Sequence, residues 1–225
     1  MSEHPSTAEA GPVARSPIAP APPVKVEAGW EVSGRRSDAP LTITDHTPLA
    51  KVQLRAPWTG AMAKALGVPF GRAARETAAL DGRNGAWLVA GSGPGEWLVL
   101  APPGAAAAVA GWLAAMAADA AGEEFVSMVD LTHGRALVRI TGPDAAGLLA
   151  RLCGADLHDD MAPDGAALRS AVAGVATDII RDDQAAVPSF LLHCERSSGQ
   201  YLFGALVSAG QELSIGVDGF RLPGI

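Results

Sequence analysis

Few residues in this 225-residue chain have the types and spacing that chemistry requires. Asp130 and His133, close to Arg135, pair a carboxylate with an imidazole and could move a proton. No nucleophile motif accompanies them, and hydrogen bonding at a strand end would use the same residues. Asp178 sits in an apolar run and reads from its neighbours as an ordinary strand acid. Asp156-Leu-His-Asp-Asp160 has carboxylates and one imidazole but no second histidine at ligand spacing, so it reads as a solvated loop. His193 and Cys194 are neighbours in a strand pattern, which points them to opposite faces and prevents them from acting as base and nucleophile. Gly91-Ser-Gly-Pro-Gly95 lacks the third glycine of a dinucleotide loop and leads into a strand, so it reads as a turn. Asp182 and Asp183 read as solubilising residues at a loop tip.

The elements that hold these residues follow from periodicity. Ala50–Arg55 alternates with period two, and a short helix follows Pro57 with Met62, Ala65 and Leu66 on one face. A turn is expected over Leu80–Asn84, then strands at Ala86–Ala90 and Glu96–Leu100 joined as a hairpin. Val109, Trp112, Leu113 and Met116 recur at helical spacing, and the other positions of that helix are mostly Ala and Gly. The second half repeats the rhythm. Strands are expected at Phe125–Val129 and Ala136–Ile140, and Gly142-Pro-Asp144 opens a helix with Ala145, Leu148, Leu149 and Leu152 inward. Strands at Leu168–Val172, Val175–Ile180 and Ser189–Cys194 follow, then a helix from about Ser198 with Tyr201, Leu202, Ala205, Leu206 and Ala209 inward.

Each half thus reads β-α-β-β-α. The fold class expected is α+β, two ferredoxin-like (split βαβ) halves packed together, over residues 42–122 and 123–225. Residues 1–41 form a separate regime with seven of the seventeen prolines, expected to be a disordered Pro-rich tail that can be deleted at little cost. Trp30 is its exception: it pins the tail to the domain or to a partner, or is solvated. Trp87 and Trp97 head matching Trp-Leu-Val triplets, so one face of the hairpin must be covered. Either helices of this chain cover it, or a partner docks on Trp87, Trp97 and Trp112.

Composition excludes some classes. A net charge of -7 with scattered arginines is unlike a nucleic-acid surface or a polybasic membrane patch. Pro102-Pro-Gly104 cuts the one long uncharged stretch, and no signal-peptide pattern opens the chain, so the cytoplasm is expected. Two cysteines suffice neither for a disulfide framework nor for a zinc site, so no metal is expected and both thiols read as core residues.

Val129-Asp-Leu-Thr-His133, Arg135-Ala-Leu-Val-Arg-Ile-Thr-Gly-Pro-Asp144 and Leu148-Leu149 resemble the aminomethyltransferase-like folate-binding superfamily. Gly93-Pro-Gly-Glu-Trp-Leu-Val-Leu100 and Thr47-Pro-Leu49 resemble, within it, the gamma subunits of heterotetrameric sarcosine oxidases. The resemblance covers about residues 45–212. It implies an accessory, non-catalytic subunit beside alpha, beta and delta subunits that together demethylate sarcosine to glycine. It also implies that FAD, FMN, NAD and tetrahydrofolate sit in those partners, with no cofactor bound by this chain. The superfamily's enzymes carry two adjacent acids in a "G-x-x-D-D" strand. Here Gly174-Val-Ala-Thr-Asp178 matches one acid with Asp178 and puts Thr177 in the place of the other. A folate-like pocket would then gather Asp130, His133 and Asp178. The alternatives are a free-standing tetrahydrofolate-binding aminomethyltransferase-like protein, or the same subunit of an oxidase for another N-methylamine.

Overall fold

Strands that are apolar on both faces need cover on both sides, and that requirement sets the layers of this fold. The computed structural model describes residues 12–80, 83–120 and 122–225. The chain begins with β1 (Ala14–Arg15), β2 (Val24–Glu27), β3 (Trp30–Ser33), β4 (Thr42–Asp45) and β5 (Ala50–Arg55). It continues with α1 (Ala61–Leu66), β6 (Ala73–Leu80), β7 (Arg83–Gly93), β8 (Glu96–Ala101), α2 (Ala106–Ala120) and β9 (Ser127–Asp130). A second series follows: β10 (Arg135–Thr141), α3 (Ala145–Ala150), β11 (Ala167–Val172), β12 (Val175–Arg181), β13 (Ser189–Glu195), α4 (Gly199–Ala209) and β14 (Gly216–Asp218).

The two series from β5 and from β10 are the same unit twice, β-α-β-β-β-α-β. One makes a five-stranded sheet ordered β6-β7-β8-β5-β9. The other makes a six-stranded sheet ordered β11-β12-β13-β10-β4-β14, into which β4 is inserted. The halves are therefore not divided at residue 122. β9 completes the first sheet by pairing with β5, while β4, earlier in the chain, pairs with β10 in the second. This exchange is invisible to periodicity, which reports that a strand exists and not which strand it joins.

Alternation along the strands builds four layers, α/β/β/α. Trp87, Val89, Trp97 and Val99 meet Met62, Leu66, Val109 and Leu113 of the first two helices. Val138, Ile140, Leu192 and Cys194 meet Leu148, Leu149, Leu202 and Leu206 of the other two. The opposite faces, with Leu88, Ala90, Leu98 and Leu100 against Leu137, Ile180 and Leu191, form the core between the sheets. The α+β class and the doubled, packed arrangement expected from the sequence are the ones adopted.

Several local expectations change. The segment after residue 11 is not a coil: β1, β3 and β2 form a small sheet. Trp30 and Val32 are each 4% exposed within the inter-sheet core, and Ile18 packs into the second helix-covered core. The domain supplies the apolar partners that the Pro-rich segment lacks by itself. Trp87 and Trp97, whose cover the sequence leaves to helices of this chain or to a partner, are 2% and 3% exposed under α1 and α2, so both faces of the hairpin are covered internally and neither ring is offered to a partner. Trp112 is half-buried, its ring edge-on to Trp87 at 5.0 Å. The strand expected at Phe125–Val129 starts at Ser127, and Phe125 is exposed. Tyr201 faces solvent, its hydroxyl donating to the Ala173 carbonyl. β6 was not foreseen, because Ala73-Ala-Arg-Glu-Thr-Ala-Ala-Leu80 has little of the branched or aromatic character of a strand. Part of the Leu80–Asn84 turn lies outside the described residues.

Asp182 and Asp183 are the sharpest reversal. Asp182 is 4% exposed. It accepts from Arg139 Nη2 at 2.7 Å and from Arg75 Nη2 at 2.6 Å, tying β10 of one sheet to β6 of the other. Asp183 accepts from Arg181 Nε and from the Ser189 amide. The glycine of Gly142-Pro-Asp144 also has a physical reason. Its φ is 146°, and a Cβ there would lie 2.3 Å from the Pro40 carbonyl oxygen.

Two substitutions test these contacts by chemical denaturation. Trp30→Ala should lower unfolding free energy by about 3–5 kcal/mol, against almost no change for a solvated tail. Asp182→Ala should cost about 3–5 kcal/mol, because it strands the buried Arg139 guanidinium without a counter-charge.

Candidate functional site

Strand register assembles a row of polar side chains at one end of the space between the sheets. Asp178 of β12 stands opposite Arg169 of β11 and opposite His193 of β13. Cross-strand neighbours on one face are close enough to touch. Arg169 Nε donates to Asp178 Oδ1 at 2.5 Å, and His193 Nδ1 lies 3.2 Å from Asp178 Oδ2. Glu96 crosses from the other sheet. Its carboxylate accepts from Arg169 Nη2 at 2.7 Å and from Arg55 Nη2 at 3.0 Å. With Gln53, Arg135, Thr177 and Glu195 these residues line a polar cleft of about 270 Å³.

The electrostatics make this a fixed array. Burial pushes the Asp178 carboxyl up, but its bonds to His193 and Arg169 more than offset that and hold it below the ordinary range. Burial pulls His193 down, against the pull of Asp178, so the ring is neutral near neutral pH. Asp178 can only accept, so it fixes the His193 proton on Nδ1 and leaves a lone pair on Nε2. That nitrogen is buried and has no partner among the described residues. The array could position a hydrogen-bonding ligand. Cys194 is not a nucleophile for it: the thiol is in the helix-covered core, and burial raises its pKa to about 11.

Of the three residues expected to form one pocket, only Asp178 lines this cleft. Asp130 ends β9 and accepts from the Thr132 amide in a local turn at 2.8 Å. His133 stacks on Trp30 with ring centroids 4.8 Å apart. Neither is among the residues that line the cleft with Asp178. Arg169, Glu96 and Arg55 were missed, since only register brings them to Asp178. Asp159 is used as well, accepting from Arg181 at 2.7 Å.

A second surface is apolar. Trp58, Phe70 and Phe125 are 62%, 54% and 81% exposed. Trp58 is shared by two adjoining hollows of about 390 and 370 Å³, one edged by Phe70 and the other by Phe125. The signal was present in the sequence as aromatic residues beside Pro57 and Pro69, but loops rich in proline give no period from which exposure can be read. Gly91 and Gly95 serve the turn nearby. A Cβ at Gly91 would meet the Pro69 carbonyl oxygen at 2.3 Å, and Gly95 has φ 71°.

Asp130 also acts on Lys51, which is fully buried with Nζ donating to the Thr47 and Leu49 carbonyls at 2.7 and 2.8 Å. Burial, opposed by Asp45 and Asp130, lowers this amine from 10.5 to about 7. The unfolded chain therefore binds the proton more tightly, and stability due to Lys51 rises with pH between about 7 and 10.5. Lys51→Met should remove that rise, measured as the difference between the two proteins' unfolding free energies across the window.

Comparison with known proteins places this geometry. The model of the GCVT N-terminal domain family matches residues 86–221. A curated relative, sarcosine oxidase subunit gamma of Arthrobacter sp., is 37% identical over 99 residues, and the match spans 44% of this chain and 44% of that protein. A chain of heterotetrameric sarcosine oxidase from Corynebacterium sp. U-96, solved with pyrrole 2-carboxylate, superposes with a TM-score of 0.58 at 24% identity, covering 80% of this chain and 89% of that one. Glycine cleavage system aminomethyltransferase T from Bartonella henselae superposes with a TM-score of 0.67 at 15% identity, covering 87% of this chain and 55% of that one. The two structures establish the shared fold. With that family model matching more than half of its length, from within β7 to beyond β14, the chain belongs to the GCVT N-terminal domain family.

Proposed function

We propose that this chain is the gamma-type accessory subunit of a heterotetrameric sarcosine oxidase, without catalytic residues of its own. The observation that carries the reading is the 37% identity to a protein named as that subunit, together with the overlay on 89% of a chain from such an oxidase. The chemistry of the cleft agrees with it. Both Asp178 oxygens are engaged within the chain, by Arg169 and His193, and the neighbouring Thr177 hydroxyl donates to the Val175 carbonyl. Among the described residues, the other carboxylates that line the cleft are also paired within the chain, Glu96 with Arg55 and Arg169 and Glu195 with Arg135. In this reading FAD, FMN, NAD and tetrahydrofolate are held by the alpha and beta subunits, a delta subunit completes the assembly, and the location is cytoplasmic. Among the described residues no helix is long and apolar enough to cross a membrane.

The exposed Trp58, Phe70 and Phe125 are assigned to the contact with those larger subunits, in place of Trp87 and Trp97. Large aromatics around shallow hollows are the usual anchors of an interface. A second reading, a free-standing tetrahydrofolate binder, is favoured by the overlay on the aminomethyltransferase. Affinity purification from the native cells separates the two. Recovery of a yellow complex with larger flavoprotein chains is expected, and Trp58→Glu should release those chains while leaving the melting temperature unchanged. A colourless protein recovered alone that titrates with tetrahydrofolate would replace the first reading with the second.

A further inference from the structure

A sheet that ends in an uncovered strand leaves backbone donors and acceptors unpaired, and proteins guard such edges with charge or with cover. Most edges here are guarded. β6 carries Arg75 and Glu76, and its first amide, at Ala73, donates to the Gly165 carbonyl. β11 carries Arg169 and bridges Cys153 at Val172. β2 carries Lys25 and Glu27. Residues 37–39 lie against β14, where a Cβ at Gly216 would meet the Ala39 Cβ at 2.8 Å. β9 differs. It is the last strand of the first sheet, and Ser127-Met-Val-Asp130 has no proline and no charge before its final residue.

The register shows which of its groups are free. β9 pairs with β5 antiparallel, from Ser127 opposite Arg55 to Asp130 opposite Val52. The Leu131 amide continues the ladder by donating to the Lys51 carbonyl at 2.7 Å. Antiparallel bonds fall on alternate residues, so Ser127 and Val129 bond to β5, while the amides and carbonyls of Met128 and Asp130 point to the open edge. Among the described residues no hydrogen bond to these four groups is formed. The side chains beside them are apolar and open. Val129 is 49% exposed, and Phe125, two residues before the strand, is 81% exposed. Phe125 edges the hollow it shares with Trp58, so the open edge runs into the aromatic surface.

Such an edge fits an extended polypeptide, which supplies a matching row of donors and acceptors. We propose, resting on the subunit reading, that an extended segment of one of the larger subunits adds to β9 as a sixth strand of the first sheet. It sets an apolar side chain against Val129 and runs on past Phe125 toward Trp58. β9 has only four residues, so its backbone bonds set direction and register while the aromatic hollows supply the apolar area.

The test is hydrogen exchange read amide by amide, on the full chain alone and on the complex recovered from the native cells. In the free chain the Met128 and Asp130 amides should exchange fast and the Val129 amide slowly. In the complex the first two should slow by about tenfold or more, the worth of one hydrogen bond. Asp130→Pro deletes one edge donor and no bond to β5, and should weaken retention of the larger chains by about tenfold. Asp130→Ala keeps that donor and should not. The exchange result decides alone if the proline variant does not fold. A yellow complex in which both edge amides stay fast, or one that proline weakens no more than alanine, would overturn the proposal and leave the subunit reading intact. Protection already present in the free chain and lost on dilution would place a second copy on β9 and overturn it as well. Recovery of this chain without larger chains would remove both.

Discussion

The apolar face that the two sheets share is the constraint on which the remaining structure depends. Leu88, Ala90, Leu98 and Leu100 on one sheet meet Leu137, Ile180 and Leu191 on the other. Because those side chains take one face of every central strand, the opposite faces must be covered by helices, and four layers follow. The face also has to be sealed where the alternation brings polar groups inward. Asp182, with Arg139 from one sheet and Arg75 from the other, does this at a buried position. Such a triad adds little net stability over an apolar equivalent, but it penalises any other register of the sheets, since a slip would leave a charge unpaired.

The same geometry explains why polar residues cluster where they do. The row Arg55, Glu96, Arg169, Asp178 and His193 runs across both sheets at one end of their interface. Thr44, His46 and Arg139 collect around a cavity of the second sheet. In each place strand pairing brings distant residues within reach, and burial fixes their protonation. Asp178 stays ionised because Arg169 and His193 hold it, and His193 and His46 stay neutral because no counter-charge outweighs their desolvation.

The N-terminal segment shows how tertiary contacts can overrule composition. Residues 14–33 are rich in proline and would not bury enough surface alone. Docked on the finished domain, Trp30, Val32 and Ile18 gain an apolar environment that already exists, and the intervening chain forms a small sheet. Trp30 then stacks on His133, which is how a residue with the type for proton transfer becomes part of a docking contact.

The amino-acid sequence by itself determined the number and kind of most elements. Trp87-Leu-Val-Ala90, Glu96–Leu100 and Ser189–Cys194 carry apolar side chains toward both faces, and the helices starting near Ala106, Ala145 and Gly199 keep their 3.6-residue stripe. The motifs around Gly142 and Trp97 were enough to mark the family. Tertiary structure alone decided which strand joins which sheet, because hydrogen bonds between strands are made by backbone atoms common to all residues. It therefore also decided that Asp130 and His133 do not line the cleft with Asp178, that Asp182 is buried, and that Trp58 rather than Trp87 is available to a partner. Periodicity records which side of an element a residue occupies; what waits on that side depends on long-range pairing that no local stretch encodes.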